Sequence, residues 1–233
     1  MTTILFIGPT LRVEARDGLE IRPPAAVGDV LRASRERGVR RIALVDGYFE
    51  RMAAVWHKEI LLALERGIAV YGAASMGALR AAELAPFGMI GVGTIYSDFA
   101  RGSLTADDEV AVAHLPAEAG YRAISDALVN LRDGLARATR ARVIAVKTRD
   151  ALIELARARF YRDRSWQRLI ADGRAARLPA RELAALAAWP KPDRKAADAR
   201  LLLRRLATEP IRRPPRIRVP RTWALRELLR QIE

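Results

Sequence analysis

Short apolar runs alternate with amphipathic stretches along the first half of the chain. The apolar runs predict β-strands at residues 4–7, 41–45, 68–71 and 89–96. The periodicity of apolar positions predicts helices at residues 30–37, 53–66, 76–84 and 116–135. Strands alternating with helices predict an α/β fold, with a parallel sheet flanked by helices in Rossmann-like layering. The functional site of such a fold lies at the carboxyl edge of the sheet.

The second half of the chain is predicted to be helical, apart from one segment rich in proline and arginine. Its periodicity predicts helices at residues 149–160, 164–172, 180–188 and 193–206. Repeated prolines exclude a helix at residues 210–221, so this segment is predicted to be extended. Thr222 is the predicted N-cap of a last helix that runs to Glu233. We therefore expect an α/β core domain at residues 1–140 and a basic, mostly helical region at residues 141–233.

The net charge of +14 is distributed unevenly. Residues 1–135 carry 15 Lys/Arg and 17 Asp/Glu, whereas residues 136–233 carry 26 and 10. A basic second half favours an acidic partner, and the alternative is a solvated helical surface in an arginine-rich proteome. Because no aromatic residues are interleaved with the basic ones in a known module, we expect an acidic protein partner rather than a nucleic acid.

The composition excludes several kinds of site. The chain has no cysteine, which excludes disulfides, thiolate catalysis and cysteine-ligated metal centres. With only two histidines, His57 and His114, no histidine-rich metal centre is expected, and we predict neither a metal nor a cofactor. The first residues lack the pattern of a signal peptide, and no apolar run reaches membrane-spanning length. We therefore expect a cytoplasmic protein without a membrane partner.

The stretch at residues 68–84 contains the strongest candidate for chemistry. An apolar strand is followed by a turn of small residues and then by an alanine-rich helix, with Ser75 at the turn. A serine beside a helix N-terminus is placed as a nucleophile next to an oxyanion hole. The elbow motif G-x-S-x-G is incomplete, however, because Ala73 replaces its first glycine. The alternative is that Ser75 is only an N-cap, for which serine is favoured.

A histidine and an acidic residue accompany Ser75 at the predicted sheet edge. Asp46 ends one predicted strand, and His57 lies on the helix that follows it. Asp46, His57 and Ser75 are therefore predicted to converge as a catalytic set, in which His57 carries the proton and Asp46 orients His57. The alternative for a lone histidine beside a tryptophan is a structural role.

The helix N-terminus after Ser75 is a second candidate feature. Its free N–H groups, with Gly77 and Arg80, predict a site for an anion or a carboxylate-like group. Arg80 and Glu83 lie one turn apart and form either an ordinary ion pair or part of that anion site.

Several motifs, in order along the chain, resemble the TfuA-like core domain. They are Gly8-Pro9-Thr10-Leu11, Pro23-Pro24-Ala25, Gly28-Asp29-Val30, Asp46-Gly47-Tyr48-Phe49 and the stretches 55–61, 74–84, 87–89 and 108–112. The resemblance covers about residues 4–135, with an extension at residues 160–166, and does not reach the basic tail. Within these motifs, the expected substrate- or anion-binding residues are Gly8, Thr10, Glu59, Gly77, Arg80 and Glu83.

This resemblance implies a role beside YcaO enzymes, which activate peptide backbone amides with ATP, in peptide thioamide formation. The implied partners are a YcaO-type enzyme, a ubiquitin-like sulfur-carrier protein and, as a further candidate, the precursor peptide. The implied activity is release of sulfur from the carrier's C-terminal thiocarboxylate by a Ser-centred hydrolysis. Without cysteine, the chain itself carries no persulfide, so its sulfur must arrive on something else. The alternative is a non-catalytic adaptor that docks the YcaO enzyme and the carrier or peptide.

Overall fold

The computed structural model describes residues 1–48 and 53–232 of the chain. Contacts group the chain into two compact units, one formed by residues 1–105 with the chain from residue 196 onward, the other by residues 106–195. Phe49, part of one motif above, and Glu233, the predicted end of the last helix, lie outside the described residues.

The first unit is built on a parallel sheet, which confirms the predicted α/β class. In the described residues the strands are β1 Thr2–Phe6, β2 Leu19–Arg22, β3 Val39–Leu44, β4 Ala69–Ala73 and β5 Ile90–Val92, in the order β2-β1-β3-β4-β5. The helices of this unit are α1 Asp29–Arg35, α2 His57–Glu65, α3 Met76–Leu84, α4 Thr94–Ala100, most of α9 Arg194–Thr208, and α10 Trp223–Ile232. The pattern did not predict β2, because it is a short edge strand in which only Leu19 is buried.

Both faces of the sheet are covered by helices, and the strand side chains point alternately to one face and the other. On one face Ile4, Ile42 and Val70 pack with residues of α1, α2 and α3. On the other face Leu5, Ala43 and Tyr71 pack with Ala199, Leu202 and Leu206 of α9. Because successive strand residues point to opposite faces, a sheet covered on both sides needs continuous apolar strands. This requirement explains why β1, β3 and β4 were recognisable from the sequence.

The second unit is helical. Its helices are α5 Leu128–Arg140, α6 Val146–Ala158, α7 Trp166–Ala175 and α8 Ala180–Ala188. They pack around a core that includes Leu131, Leu135, Leu152, Trp166 and Leu183. The predicted helices of the second half therefore exist, with ends that shift by a few residues. Among the helices of residues 1–48 and 53–232, none is long and apolar enough to cross a membrane.

Two predicted elements were wrong in part. The strand predicted at residues 89–96 ends at Val92, because Gly93 turns the chain with a φ of 97° and α4 begins at Thr94. The helix predicted at residues 116–135 begins only at Leu128. Gly120 and Tyr121 both adopt left-handed φ values, which no α-helix can contain. Local backbone reversals thus overrode the apolar periodicity in both stretches.

Candidate functional site

The strand order reverses between β1 and β3, whose carboxyl ends are neighbours. The connection after β1 leads to β2 on one side, and the connection after β3 leads to β4 on the other. Open α/β sheets bind their ligands at such a reversal of strand order. The segments that leave the sheet at this point are Gly8–Thr10 after β1 and Asp46 after β3.

Asp46 joins these two segments. Its side chain is buried, and Thr10 Oγ1 donates a 2.6 Å hydrogen bond to Oδ1. The backbone N–H groups of Gly8 and Thr10 donate to Oδ2 at 2.9 and 3.0 Å. Both carboxylate oxygens of Asp46 are thus engaged by the loop after β1, and this loop is held in place by a buried charge. The N–H groups of Gly8 and Thr10, expected to contact substrate, are used for this purpose.

Ser75 lies on a sharp turn between β4 and α3. Ala74 has a φ of 65°, in the left-handed region that a non-glycine residue rarely adopts. The Ser75 N–H donates to the Ala73 carbonyl at 2.8 Å. Ser75 occupies the N-cap position of α3, yet its side chain makes no capping hydrogen bond. The geometry is therefore a strained strand–turn–helix elbow. The interpretation of Ser75 as an N-cap lacks the side-chain hydrogen bond on which it depends.

Gly77 holds the start of α3 directly against the sheet. A Cβ atom at Gly77 would lie 1.8 Å from the Leu44 carbonyl oxygen, and the Gly77 N–H donates to the Val45 carbonyl at 3.1 Å. The N–H groups of Ala78 and Leu79 both donate to the Ser75 carbonyl. The Gly77 N–H is therefore already used, and the missing side chain serves packing, so an anion site at this helix start stays a prediction that would rest on other groups.

His57, Arg80 and Glu83 form a network between α2 and α3. One oxygen of Glu83, Oε2, accepts from Arg80 Nη1 at 2.8 Å and lies 2.8 Å from His57 Nε2. Arg80 Nε also donates to the Val55 carbonyl at 2.9 Å. Of the two interpretations of Arg80 and Glu83, the structure shows the ion pair, with His57 added to it.

The structure changes the predicted partner of His57. The hydrogen bonds found in the described parts of the chain pair His57 with Glu83, and pair Asp46 with Gly8 and Thr10. The orientation of His57 by Asp46 stays a prediction, while the hydrogen bond that the structure gives His57 is to Glu83. Glu83 lies eight residues after Ser75, so their backbones are about 12 Å apart along the helix axis at 1.5 Å per residue. Asp46 and Ser75 follow adjacent strands at the sheet edge.

Glu59 joins the start of α2 to the start of α1. Its side chain is fully buried, and Oε2 accepts from the N–H groups of Gly28, Val30 and Leu31 at the start of α1. Oε1 accepts from the Trp56 N–H at 2.7 Å. Burial raises the pKa of Glu59, although these four N–H groups favour its ionised form. The substrate contact of Glu59 stays a prediction, and it would require these buried contacts to open, because Glu59 has no exposed surface.

Sequence reasoning missed the contact between Thr10 and Asp46, and the role of Glu83 as the partner of His57. A threonine after one strand and an aspartate after another are visible signals. Only the strand order, with β1 beside β3, makes them neighbours.

The chain was compared with known proteins. The model of the family described as "TfuA-like protein" matches residues 46–165, just over half of the chain. The matched region contains Asp46, His57 and Ser75, whereas Gly8 and Thr10 precede it. No curated protein matches the chain.

Proposed function

This chain belongs to the TfuA-like family, and we propose that it is an accessory protein for YcaO-dependent peptide backbone thioamidation. Its proposed partners are a YcaO-type ATP-dependent enzyme and a ubiquitin-like carrier protein with a C-terminal thiocarboxylate, and the precursor peptide is a third candidate. Its contribution is the release of sulfur from that carrier.

The observation that carries the proposal is the elbow at Ala74 and Ser75. The turn places Ser75 at the carboxyl edge of the sheet, and the Ser75 side chain does not cap α3. A serine that is built into a strained turn without a capping role is suited to nucleophilic attack.

The proposed reaction proceeds in two steps. Ser75 Oγ attacks the thiocarboxylate carbon while its proton goes to a base. The C–S bond then breaks, and the base passes that proton to the sulfur, which leaves as hydrosulfide. Water then hydrolyses the acyl-serine ester, which gives the carrier carboxylate, restores the hydroxyl and releases one proton to solvent. The chain has no cysteine, so sulfur stays on the carrier until the first step releases it.

His57 remains the proposed base, with Glu83 in place of Asp46 as its partner. His57 is partly exposed and shares Glu83 Oε2 with Arg80. To serve Ser75, the imidazole has to come within hydrogen-bond distance of Ser75 Oγ when the carrier binds. Asp46 in this proposal positions the loop at Gly8–Thr10 rather than the histidine.

A non-catalytic adaptor is the second candidate function, and one observation favours it. His57 is tied into an ion-pair network with Glu83 and Arg80 between α2 and α3. If that network is permanent, His57 does not serve Ser75 as a base, and the chain only docks the YcaO enzyme and the carrier.

Sulfide release from purified thiocarboxylated carrier, by this chain alone, separates the two functions. The hydrolase proposal expects release by the wild type and a loss of about a hundredfold in Ser75→Ala, equivalent to about 2.7 kcal/mol of barrier. Ser34→Ala is the matched control, because Ser34 is equally buried in the same unit and its hydroxyl donates to the Leu31 carbonyl.

The control should release sulfide within about twofold of the wild type. Wild-type turnover in folded Ser75→Ala would end the nucleophile proposal. Absence of release by the wild type, together with normal thioamidation by the YcaO enzyme and Ser75→Ala, would establish the adaptor.

A further inference from the structure

The segment at residues 210–222 runs extended along the first unit and is anchored by alternate residues. Val219 is buried, and its N–H donates to Glu65 Oε1 at 2.8 Å. Ile217 packs on the apolar cluster beneath it. Pro215 lies over Gly88, where a Cβ atom would be only 2.5 Å from the proline Cδ. Ile217 and Val219 therefore face the protein on either side of the exposed Arg218, and they fix this part of the segment before any partner binds.

The residues between these anchors are arginines. Arg216 and Arg218, preceded by Arg212 and Arg213, are all exposed. Within the described parts of the chain, none of these four has a hydrogen bond or an ion pair within 4.0 Å. Several neighbouring arginines are paired, such as Arg205 with Glu209 and Arg221 with Glu65. We call the four unpaired side chains (Arg212, Arg213, Arg216 and Arg218) the arginine row.

An exposed tryptophan follows the arginine row. Trp223 begins α10 with 72% of its surface exposed, whereas Leu225 of the same helix is buried against Leu31, Leu62 and Val219. Because Leu225 fixes α10, Trp223 is held in solvent at the end of the segment. Tryptophan and arginine are the residues most enriched where binding energy concentrates in protein interfaces.

We propose that the arginine row and Trp223 form a docking surface for an acidic protein segment in extended conformation. Arg216 and Arg218 are two residues apart on an extended backbone, a spacing of about 7 Å that alternate carboxylates of an extended partner reproduce. Four like charges attract such a partner. The backbone that carries Arg216 and Arg218 is already held at Ile217 and Val219, so binding orders mainly the arginine side chains.

Two observations favour a protein over a nucleic acid at this surface. From Arg212 to Trp223 the sequence contains a single aromatic residue, Trp223 itself, so successive bases would find no series of rings on which to stack. Carboxylates also lie near this segment. Glu65 contacts the segment through an ion pair with Arg221, and Glu209 and Glu227, which flank the segment in sequence, form ion pairs with Arg205 and Arg230. Such carboxylates interrupt the continuous positive path that a phosphate backbone follows. The surface is independent of any chemistry at Ser75.

The test measures binding of a short fluorescein-labelled polyglutamate peptide to the full chain by fluorescence anisotropy. Arg216→Gln/Arg218→Gln removes the centre of the arginine row. Arg174→Gln/Arg181→Gln is the matched control, because it removes the same charge from two exposed, unpaired arginines of the second unit. Denaturant unfolding should show equal stability for all three proteins, since these side chains are exposed.

The double variant of the arginine row should bind the peptide about tenfold more weakly than the wild type, and the control within about twofold. Peptide binding should also change tryptophan emission, and Trp223→Phe should remove that change. Equal losses in the two double variants, or no binding at all, would overturn the proposal. So would tighter binding of a labelled oligonucleotide of matched charge that depends on the same arginines, or an emission change that survives Trp223→Phe.

Discussion

Replacing Gly77 by alanine tests whether the start of α3 is packed directly against β3. Gly77 is in the first turn of α3 with a helical backbone, so alanine itself suits the conformation. The added methyl group, however, would lie 1.8 Å from the Leu44 oxygen and 2.6 Å from the Leu44 carbonyl carbon. Contacts under 3.0 Å essentially never occur for real Cβ atoms, and the obstacle is backbone that cannot rotate away.

The magnitude follows from three competing effects. The helix has to retreat by about 1 Å, and overpacking of this kind costs about 3 kcal/mol when no side chain yields. Retreat also weakens the hydrogen bond from Gly77 N–H to the Val45 carbonyl, which is worth about 1 kcal/mol. Alanine recovers about 1 kcal/mol through its higher helix propensity. We therefore expect Gly77→Ala to lower the free energy of unfolding by about 3 kcal/mol.

The assay is equilibrium unfolding in urea, with Gly38→Ala as the control. Gly38 has a φ of 86°, and a Cβ atom there would meet nothing within 4 Å, so this change adds backbone strain without a clash. Gly38→Ala should cost about 1–2 kcal/mol. If Gly77→Ala is no less stable than Gly38→Ala, the argument that α3 is packed directly on β3 is refuted.

Two further predictions concern buried carboxylates. Thr10→Val removes the 2.6 Å bond to Asp46 and should lower the free energy of unfolding in urea by about 2 kcal/mol, whereas Thr10→Ser should retain most of it; equal stability of the two variants would show that this bond contributes nothing. Because burial raises the pKa of Glu59, folding takes up a proton between the usual glutamate pKa of about 4.3 and the raised value. The free energy of unfolding should therefore rise as the pH falls through that window, and Glu59→Gln should remove the rise. Parallel pH profiles for the two proteins would contradict this.

The sequence by itself determined the architecture and the location of the elbow. Helix α3 spans Met76–Leu84 and α8 spans Ala180–Ala188, as their periodicity predicted. Ser75 was placed between a strand and a helix for the same reason. Helical and strand patterns are local, because side chains repeat every 3.6 or 2 residues along the chain. They failed at Gly93 and at Gly120, where a backbone reversal ends an apolar run.

Only the tertiary structure decided which polar side chains meet. Asp46 pairs with Thr10 because β1 lies beside β3, and His57 pairs with Glu83 because α2 lies beside α3. The sequence predicted Gly77 as part of an anion site. The structure shows in addition that Gly77 packs directly against Leu44. Asp46 and Thr10 are 36 residues apart in sequence, and His57 and Glu83 are 26 residues apart. A hydrogen bond forms only when its two atoms lie about 3 Å apart. Residues distant in sequence reach that distance through the arrangement of strands and helices, which no local sequence pattern encodes.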